Sequence, residues 1–446
     1  MKSLAIKSLL LCSTLALVAC DDDDNNTSSV DRSTSAESTT YLRALHLSPD
    51  APLVDVAVDG AVVLEDVSYR AASGFLELSS GVVDIDIRVA NTATSALSAM
   101  LMLNEDTKYT VVAVDQVAQI APLVIEDNDS PSAGFAQLTV VHGAPQAPDV
   151  DVYVSAPDAV FASLSPLLED VSFKDISAEL EVPAGEYRVR VTLADATDVI
   201  YDSGTLNLGD GIEYMALASQ VEAGLSPIGL TILTDVDALP VVAADDARGR
   251  VRVVHASADA PQVDVSVDGA IVLSDVGFTG ASDYLTLLGD TYNIDVAASS
   301  SGTSVINADL TFTPQSDYTV IALNNLDNIE ALVLEDDNSA PVSGNIKVRL
   351  VHGAASAAVV DIYVTSPGAD ISGVDPTISG FMFKDDSGYL EVPEGSYQVR
   401  VTLPGTKNVV LDTGAIVFSD GVVRTAIALD PVPGSSDFGV LLLEDN

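Results

Sequence analysis

The chain has 446 residues and carries 66 acidic against 19 basic side chains, a formal net charge of −47. Such a surface repels phosphate, which excludes nucleic acid as a partner, while it favours solubility and attracts divalent cations or basic proteins. Hydrophobic residues make up 48% of the sequence, so packed cores are expected, but only two cysteines and no tryptophan are present.

The first predicted element is a signal peptide over residues 1–19. Its apolar run, residues 8–16, is about half of the roughly 20 residues that a bilayer crossing needs. The run ends in Leu17-Val18-Ala19-Cys20, which resembles the bacterial lipobox. The resemblance implies diacylglycerol on the Cys20 sulfur, cleavage after Ala19 and acylation of the new amino terminus, which would hold the protein to a membrane of the cell envelope. Ordinary cleavage that leaves Cys20 unmodified is the alternative.

Residues 20–40 are predicted to be the lipidated cysteine and a disordered acidic tether, because almost none of them can be buried. Cys12 leaves with the signal peptide and Cys20 is consumed by lipid, so no thiol remains for a disulfide or a zinc site. Asp21 resembles the inner-membrane retention signal of enteric lipoproteins. The sequence does not decide between inner and outer membrane, or between the periplasm and the cell surface.

The rest of the chain is repetitive. Each of the four histidines is followed nine positions later by an aspartate: His46 and Asp55, His142 and Asp151, His255 and Asp264, His352 and Asp361. The first and third phrases are 209 residues apart and the second and fourth 210, which indicates repeated units in the order A-B-A-B. The predicted modules are A1 (41–130), B1 (136–236), A2 (249–338) and B2 (346–446).

Within a module, apolar and polar residues alternate with a period of two, as at 150–154 and at 250–253, where Val251 and Val253 alternate with Arg250 and Arg252. This pattern predicts half-buried strands, and Asp59-Gly60 and Asp268-Gly269 predict tight hairpin turns. Each module offers about seven or eight strands. We therefore predict an all-β chain of four tandem β-sandwich modules, immunoglobulin-like or transthyretin-like, each with its own core.

Three tyrosines, Tyr109, Tyr214 and Tyr318, each follow a turn and precede an apolar strand. This placement is typical of a tyrosine corner, in which the hydroxyl bonds to nearby backbone. A ring platform for sugars is the alternative, but glycan platforms rely heavily on tryptophan, which the chain lacks.

The phrase Val-Val-His-Ala-Ser-Ala-Asp-Ala-Pro-Gln-Val-Asp-Val-Ser-Val-Asp-Gly at 253–269 has counterparts at 45, 141 and 351. It resembles the bacterial family "domain of unknown function 4397", and the segments Leu180–Tyr187 and Leu390–Tyr397 add to the resemblance. Module B2 departs from the pattern, with Ala355 and Ala358 where prolines are usual. The resemblance implies β-rich modules on secreted or surface proteins and transfers no established activity.

The repeated histidine and aspartate are the candidates for a dyad or a metal site. His142 has the strand parity of Leu138 and Val140 and is expected to face the core, whereas Asp151 and Asp264 are expected to point outward. We therefore interpret all four histidines as buried structural residues that pin a proline-rich turn: His46, His142, His255 and His352. No catalytic residue, metal ligand or cofactor is assigned, and a metal-binding or catalytic histidine is the alternative.

Acidic residues collect at the module ends, at 126–129, at Asp235 and Asp237, and at 335–338. Calcium that stiffens these junctions is one interpretation, but no complete calcium-loop spacing is present, so a solvated linker is favoured. The sequence thus predicts a non-enzymatic, lipid-anchored envelope protein whose modules do structural, adhesive or protein-binding work. A carbohydrate-binding surface protein is the second hypothesis and an enzyme the third. The protein partner and the oligomeric state are not specified.

Overall fold

The computed structural model describes residues 38–127, 130–222, 224–236, 241–357 and 359–446. They form two compact units, one ending at Asp246 and the other running from Ala247 to Asn446. Each unit contains one A and one B module. In the described residues no helix is long and apolar enough to cross a membrane. The signal peptide, Cys20 and nearly all of the tether lie outside the described residues.

The strands of unit 1 fall into two modules. Module A1 contains β1 (Thr39–Leu47), β2 (Val54–Val58), β3 (Ala61–Val67), β4 (Leu76–Ser79), β5 (Gly81–Val89), β6 (Ser95–Leu103), β7 (Lys108–Val114) and β8 (Ala121–Asp127). Module B1 contains β9 (Phe135–His142), β10 (Val150–Ser155), β11 (Leu168–Val171), β12 (Leu180–Pro183), β13 (Gly185–Leu193), β14 (Val199–Leu208), β15 (Glu213–Gln220), β16 (Ile228–Thr234) and β17 (Val241–Ala244).

Unit 2 repeats this order. Module A2 contains β18 (Arg248–His255), β19 (Val263–Val267), β20 (Ala270–Val276), β21 (Leu285–Leu288), β22 (Thr291–Ala298), β23 (Thr303–Thr311), β24 (Asp317–Leu323) and β25 (Glu330–Asp336). Module B2 contains β26 (Asn345–His352), β27 (Val359–Thr365), β28 (Ile378–Met382), β29 (Asp386–Pro393), β30 (Gly395–Thr402), β31 (Val409–Phe418), β32 (Val423–Leu429) and β33 (Gly439–Glu444). Short 3-10 turns lie at Val117–Gln119, Phe161–Ser163 and Leu326–Asn328.

All four modules share one sandwich topology. One sheet has the order fourth, first, seventh and eighth strand, and the other has the order third, second, fifth and sixth. The first strand pairs in parallel with the seventh, as β1 does with β7. The prediction of an all-β chain with four β-sandwich modules in two pairs is confirmed.

Two local predictions are also confirmed. Asp59-Gly60 and Asp268-Gly269 form two-residue hairpins in which both residues have positive φ, from 49° to 81°. The corner tyrosines accept hydrogen bonds from the backbone N–H five residues upstream, for example Tyr109 from Asn104 at 3.1 Å and Tyr214 from Gly209 at 2.9 Å.

Two predictions need correction. The expected end of B1 at residue 236 was too early, because β17 adds a fifth strand beside β16 and the unit continues to Asp246. The expectation of one separate core per module was incomplete. Each module has its own apolar core, but each unit has a further core that its A and B modules build together.

Candidate functional site

The four histidines occupy the same position in their modules, at the end of the first strand, and only 1–2% of each is exposed. In A1 the backbone N–H of His46 donates to Ala71 O at 3.0 Å, and the backbone carbonyl of His46 accepts from the Arg70 N–H at 2.8 Å. The same two bonds recur at His142, His255 and His352. Each histidine therefore ties the loop between the third and fourth strands to the sheet.

The imidazole rings contact two further groups, a proline carbonyl and an aromatic side chain. In three modules Nε2 donates to the carbonyl oxygen of a proline six residues later, at 3.0–3.3 Å: Pro52, Pro148 and Pro261. In all four modules the ring meets the edge of an aromatic side chain from the tied loop, with centroids 6.1–6.5 Å apart: Tyr69, Phe173, Phe278 and Phe383. Burial lowers the pKa of His46, His142 and His352, which favours the neutral ring.

The aspartate nine residues later supports a neighbouring strand. Asp55 Oδ1 accepts from the Asp66 N–H at 2.9 Å, where Asp66 has a φ of 58° beside an irregularity in the β2–β3 register. The same contact recurs in the other modules, from Asp151 to Asp170, from Asp264 to Asp275 and from Asp361 to Gly380. Asp151, which was expected to point outward, is buried, and the Asp170 N–H satisfies one oxygen of its carboxylate.

The histidine and the aspartate of a module therefore bond to different partners. Among the described residues, no group of three or more His, Cys, Asp or Glu side chains is arranged to hold a metal ion. At the acidic junctions, Asp127 and Asp336 face arginines at 3.5 and 2.5 Å, and Asp337 lies 2.7 Å from the Lys347 amine. Asn128, Asp129 and Asp237 lie outside the described residues.

Sequence reasoning missed the surface that joins the A and B modules of a unit. In unit 1 the apolar side chains come from both modules: Leu45, Leu47, Val112, Val114, Ile125, Val141, Met215, Leu217 and Leu233. Unit 2 has the same arrangement, with Val254 and Ile321 from A2 facing Val351 and Ile427 from B2. Strands β7, β15 and β16 are buried on both faces, and their nearly unbroken apolar runs were the signal that could have revealed this.

Buried arginines cross this interface in unit 2. Arg252 of A2 is bonded to the Asp445 carboxylate of B2 and donates to Glu444 O at 2.8 Å. Reciprocally, Arg349 of B2 bonds to Asp336 of A2 and donates to Glu335 O at 3.0 Å.

Each of these guanidinium groups also stacks on a tyrosine ring and donates to a threonine hydroxyl. Arg252 lies over the Tyr284 ring and Arg349 over the Tyr389 ring, at 4.9 and 4.7 Å from the centroids. A threonine hydroxyl accepts from each Nε, Thr319 at 2.8 Å and Thr425 at 3.1 Å. Burial is therefore compensated by several hydrogen bonds to each charge, as a buried ion pair requires.

Unit 1 keeps only half of this network. Arg43 occupies the position of Arg252 and donates to Thr234 O at 2.9 Å, but Thr139 stands where B2 has Arg349. Glu213 stands where B2 has Val423. The exchange leaves a polar cavity of about 10 Å³ lined by Arg43, Asp127, Gln137, Thr139 and Glu213.

Glu213 is the most perturbed carboxyl group at this interface. It is only 7% exposed, and its nearest cation is the Lys108 amine at 3.7 Å. Burial, with a contribution from the Asp127 carboxylate, raises the pKa of Glu213 to about 7. The group therefore changes its charge near neutral pH inside a contact between two modules.

Cationic side chains also cross between modules at the rim of the interface. Lys174 of B1 reaches Asp115 of A1 at 2.9 Å, and Lys384 of B2 reaches Glu330 of A2 at 2.9 Å. Arg70 of A1 donates to the Leu230 carbonyl of B1 at 2.7 Å. Arg70, Lys174 and Lys384 follow the aromatic residue of the histidine-tied loop and have φ between 61° and 75°. The histidine thus positions these cations as well.

The family model described as "Domain of unknown function (DUF4397)" matches residues 40–153 and 249–363. Each match spans an A module and continues into the second strand of the following B module. No curated protein matches the sequence significantly.

Three solved structures illustrate the fold comparison. The Bacillus anthracis TIE protein is 13% identical, over 89% of this chain and 68% of that chain, with a TM-score of 0.15. Family 41 carbohydrate-binding modules from streptococcal virulence factors, described for alpha-glucan recognition, are 10% identical. The match covers 43% of this chain and 96% of that chain, with a TM-score of 0.16. The pneumococcal glycogen-degrading virulence factor SpuA, in a product complex, is 7% identical. The match covers 85% of this chain and 38% of that chain, with a TM-score of 0.15. Scores this low carry no argument about this chain.

Proposed function

The chain belongs to the DUF4397 family, and we propose that it is a lipid-anchored protein of the bacterial cell envelope that presents two paired β-sandwich units for structural, adhesive or protein-binding work. The observation that carries the proposal is the use of the repeated polar residues. The histidine ring packs against an aromatic side chain in each module and donates to a proline carbonyl in three of them, and the aspartate accepts from a backbone N–H beside a strand irregularity. Residue types that could perform chemistry are thereby engaged in holding the scaffold, so we assign no enzymatic activity.

The pairing of modules supports a mechanical or presenting role. Each unit joins two sandwiches through an apolar core, and in unit 2 through two reciprocal buried arginine–aspartate pairs. Buried ion pairs are poor sources of net stability but fix one geometry, because any other arrangement leaves a charge unpaired. A unit built in this way resists bending between its modules, which suits a protein that displays a surface away from the membrane.

The anchor rests on the Leu-Val-Ala-Cys run that ends at Cys20, outside the described residues. Replacing Cys20 with Ser should move the protein from the membrane fraction to the soluble exported fraction or leave it as the unprocessed precursor. Mass spectrometry of the wild-type amino terminus should show the acylated cysteine. Identical fractionation of wild type and variant would contradict the lipid anchor.

The binding role is tested in the intact envelope. A photoreactive amino acid is placed at one exposed position in each module, for example Met100 in A1 and Val417 in B2. We expect discrete protein adducts from at least one module, and an unlinked sample provides the control. A glycan array probed with the same protein separates the alternatives. Saturable glycan binding without any protein adduct would replace the proposed role by carbohydrate recognition.

A further inference from the structure

The two units bury apolar side chains of similar size where their A and B modules meet. Val112 of A1 corresponds to Ile321 of A2, and Val141 of B1 corresponds to Val351 of B2. Hydrophobic contact is non-directional and tolerates the exchange of one aliphatic residue for another of similar volume. The apolar surface of B1 would therefore accept A2 almost as well as A1.

The charged positions around this apolar surface differ between the units. In unit 1 the Lys108 amine of A1 lies 3.7 Å from the Glu213 carboxylate of B1. A2 has Asp317 at the position of Lys108, and B2 has Val423 at the position of Glu213. Asp317 is paired within its own module, since Nε and Nη2 of Arg250 donate to its two oxygens at 2.7 and 2.5 Å.

We propose that these charges determine which A module B1 accepts, and that Glu213 is the residue that disfavours A2. If A2 were paired with B1, Asp317 would take the place of the Lys108 amine beside Glu213. Arg250 could not fully replace that amine, because two of its nitrogens already bond to Asp317. The side chains of Glu213 and Asp317 are only 8% and 12% exposed, so water would screen their repulsion poorly. A repulsive contact of this kind is an effective means of discriminating between partners with similar apolar surfaces.

B1 is the module for which this choice arises, because it lies between the two A modules in the sequence. The connection from A1 to B1 runs from Asp127 to Phe135, and the connection from B1 to A2 runs from Ala244 to Arg248. Both A modules are therefore present at a high effective concentration when B1 folds. The A modules of other copies offer the same alternatives, and pairing with them would produce oligomers by module exchange. Discrimination by charge keeps each B module with the A module that precedes it.

Ion pairs at the rim of each interface report which modules have paired. Lys174 of B1 lies 2.9 Å from Asp115 of A1, and Lys384 of B2 lies 2.9 Å from Glu330 of A2. Because Lys174 and Lys384 occupy matching positions, B1 paired with A2 would place Lys174 beside Glu330. A reagent that joins carboxylates directly to amines would then form an exchanged link, Lys174–Glu330, instead of the correct link, Lys174–Asp115. Mass spectrometry of the linked peptides distinguishes the two, within one chain or between two copies.

The full chain is unfolded in denaturant, refolded at about pH 8 and treated with a triazine reagent that couples carboxylates to amines. In the wild type we expect the correct link and almost no exchanged link. Glu213→Val, which gives B1 the residue found in B2, should raise the ratio of exchanged to correct link at least about tenfold, because it removes a charge that would lie close to Asp317. Lys108→Asp, which gives A1 the charge found in A2, should raise the ratio in the same direction.

Two controls separate the choice of module from folding. Glu126→Val removes a charge from an exposed residue of β8 and should leave the ratio unchanged. The Lys384–Glu330 link reports in the same sample that A2 and B2 have paired. If Lys108→Asp forms neither link of B1, Glu213→Val decides, because it leaves A1 unaltered. Two outcomes would overturn the proposal: an exchanged link as abundant as the correct one in the wild type, or a Glu213→Val chain that forms only the correct link.

Discussion

Replacing Glu213 with Gln tests how charge acts at the interface of unit 1. Four charged groups face Glu213 from the strands around it and the end of β16: Arg43, Lys108, Asp127 and Asp235. Burial and Asp127 raise the pKa of Glu213 from 4.5 to about 7. Glutamine has nearly the same shape but cannot ionise, so the substitution removes the titration and little else.

The direction of the pH effect on stability follows from the direction of the Glu213 pKa shift. The folded-state pKa of Glu213 is higher than the unfolded one, so folding favours the protonated form. Its contribution to stability is fully present below pH 4.5 and is lost as the pH rises through about 7. A shift from 4.5 to about 7 corresponds to about 3 kcal/mol. Relative to wild type, the unfolding free energy of the Gln variant should therefore rise by about 3 kcal/mol between pH 4.5 and pH 8.

Chemical unfolding of the full chain at several pH values provides the measurement. Taking the difference between variant and wild type cancels the contributions of the buried histidines, which both proteins share. Glu126→Gln, the same change at an exposed β8 residue next to the interface, is the matched control. Unit 2, with Val423 at the matching position, is an internal reference. A difference that does not vary with pH, or a Gln variant less stable than wild type at pH 8, would refute the reasoning.

Three further predictions concern stability. His142→Ala should cost roughly 1 to 4 kcal/mol in unit 1 and leave unit 2 unchanged, because it opens a cavity beside Phe173 and leaves the Pro148 carbonyl without its donor; unchanged melting with a loss of binding would contradict the structural role. Arg349→Met should cost about 3 to 5 kcal/mol in unit 2, since it removes the closest cation of the buried Asp336 and leaves Arg252 at 4.0 Å, and Thr139→Met at the matching position of unit 1 is the control for denaturant unfolding. The fragment 38–246 should fold cooperatively, with β-type circular dichroism and little helix, whereas 38–127 alone should expose the apolar interface and aggregate; a soluble, stable A1 fragment would show that pairing is dispensable.

Much of the fold could be predicted because its signals are local. The period of two, the Asp-Gly pairs and the 209- and 210-residue offsets led to four β-sandwich modules in A-B-A-B order, and strand parity placed His142 toward the core. These features depend on residues close together in the chain, where backbone geometry alone sets which side chains share a face. The aromatic partner of each histidine could not be predicted, because it comes from a loop 23 or 31 residues away.

The burial of Arg252 is decided by the tertiary structure and not by the local sequence pattern. Its alternation with Val251 and Val253 predicts an outward-facing polar residue, and it does point away from the core of its own module. A second sheet covers that outer face, so Arg252 is buried against Asp445, a residue 193 positions away. Likewise, only the structure places β17 beside β16. Periodicity specifies which residues share a face, but what packs against that face is decided by contacts between distant segments, which no local pattern encodes.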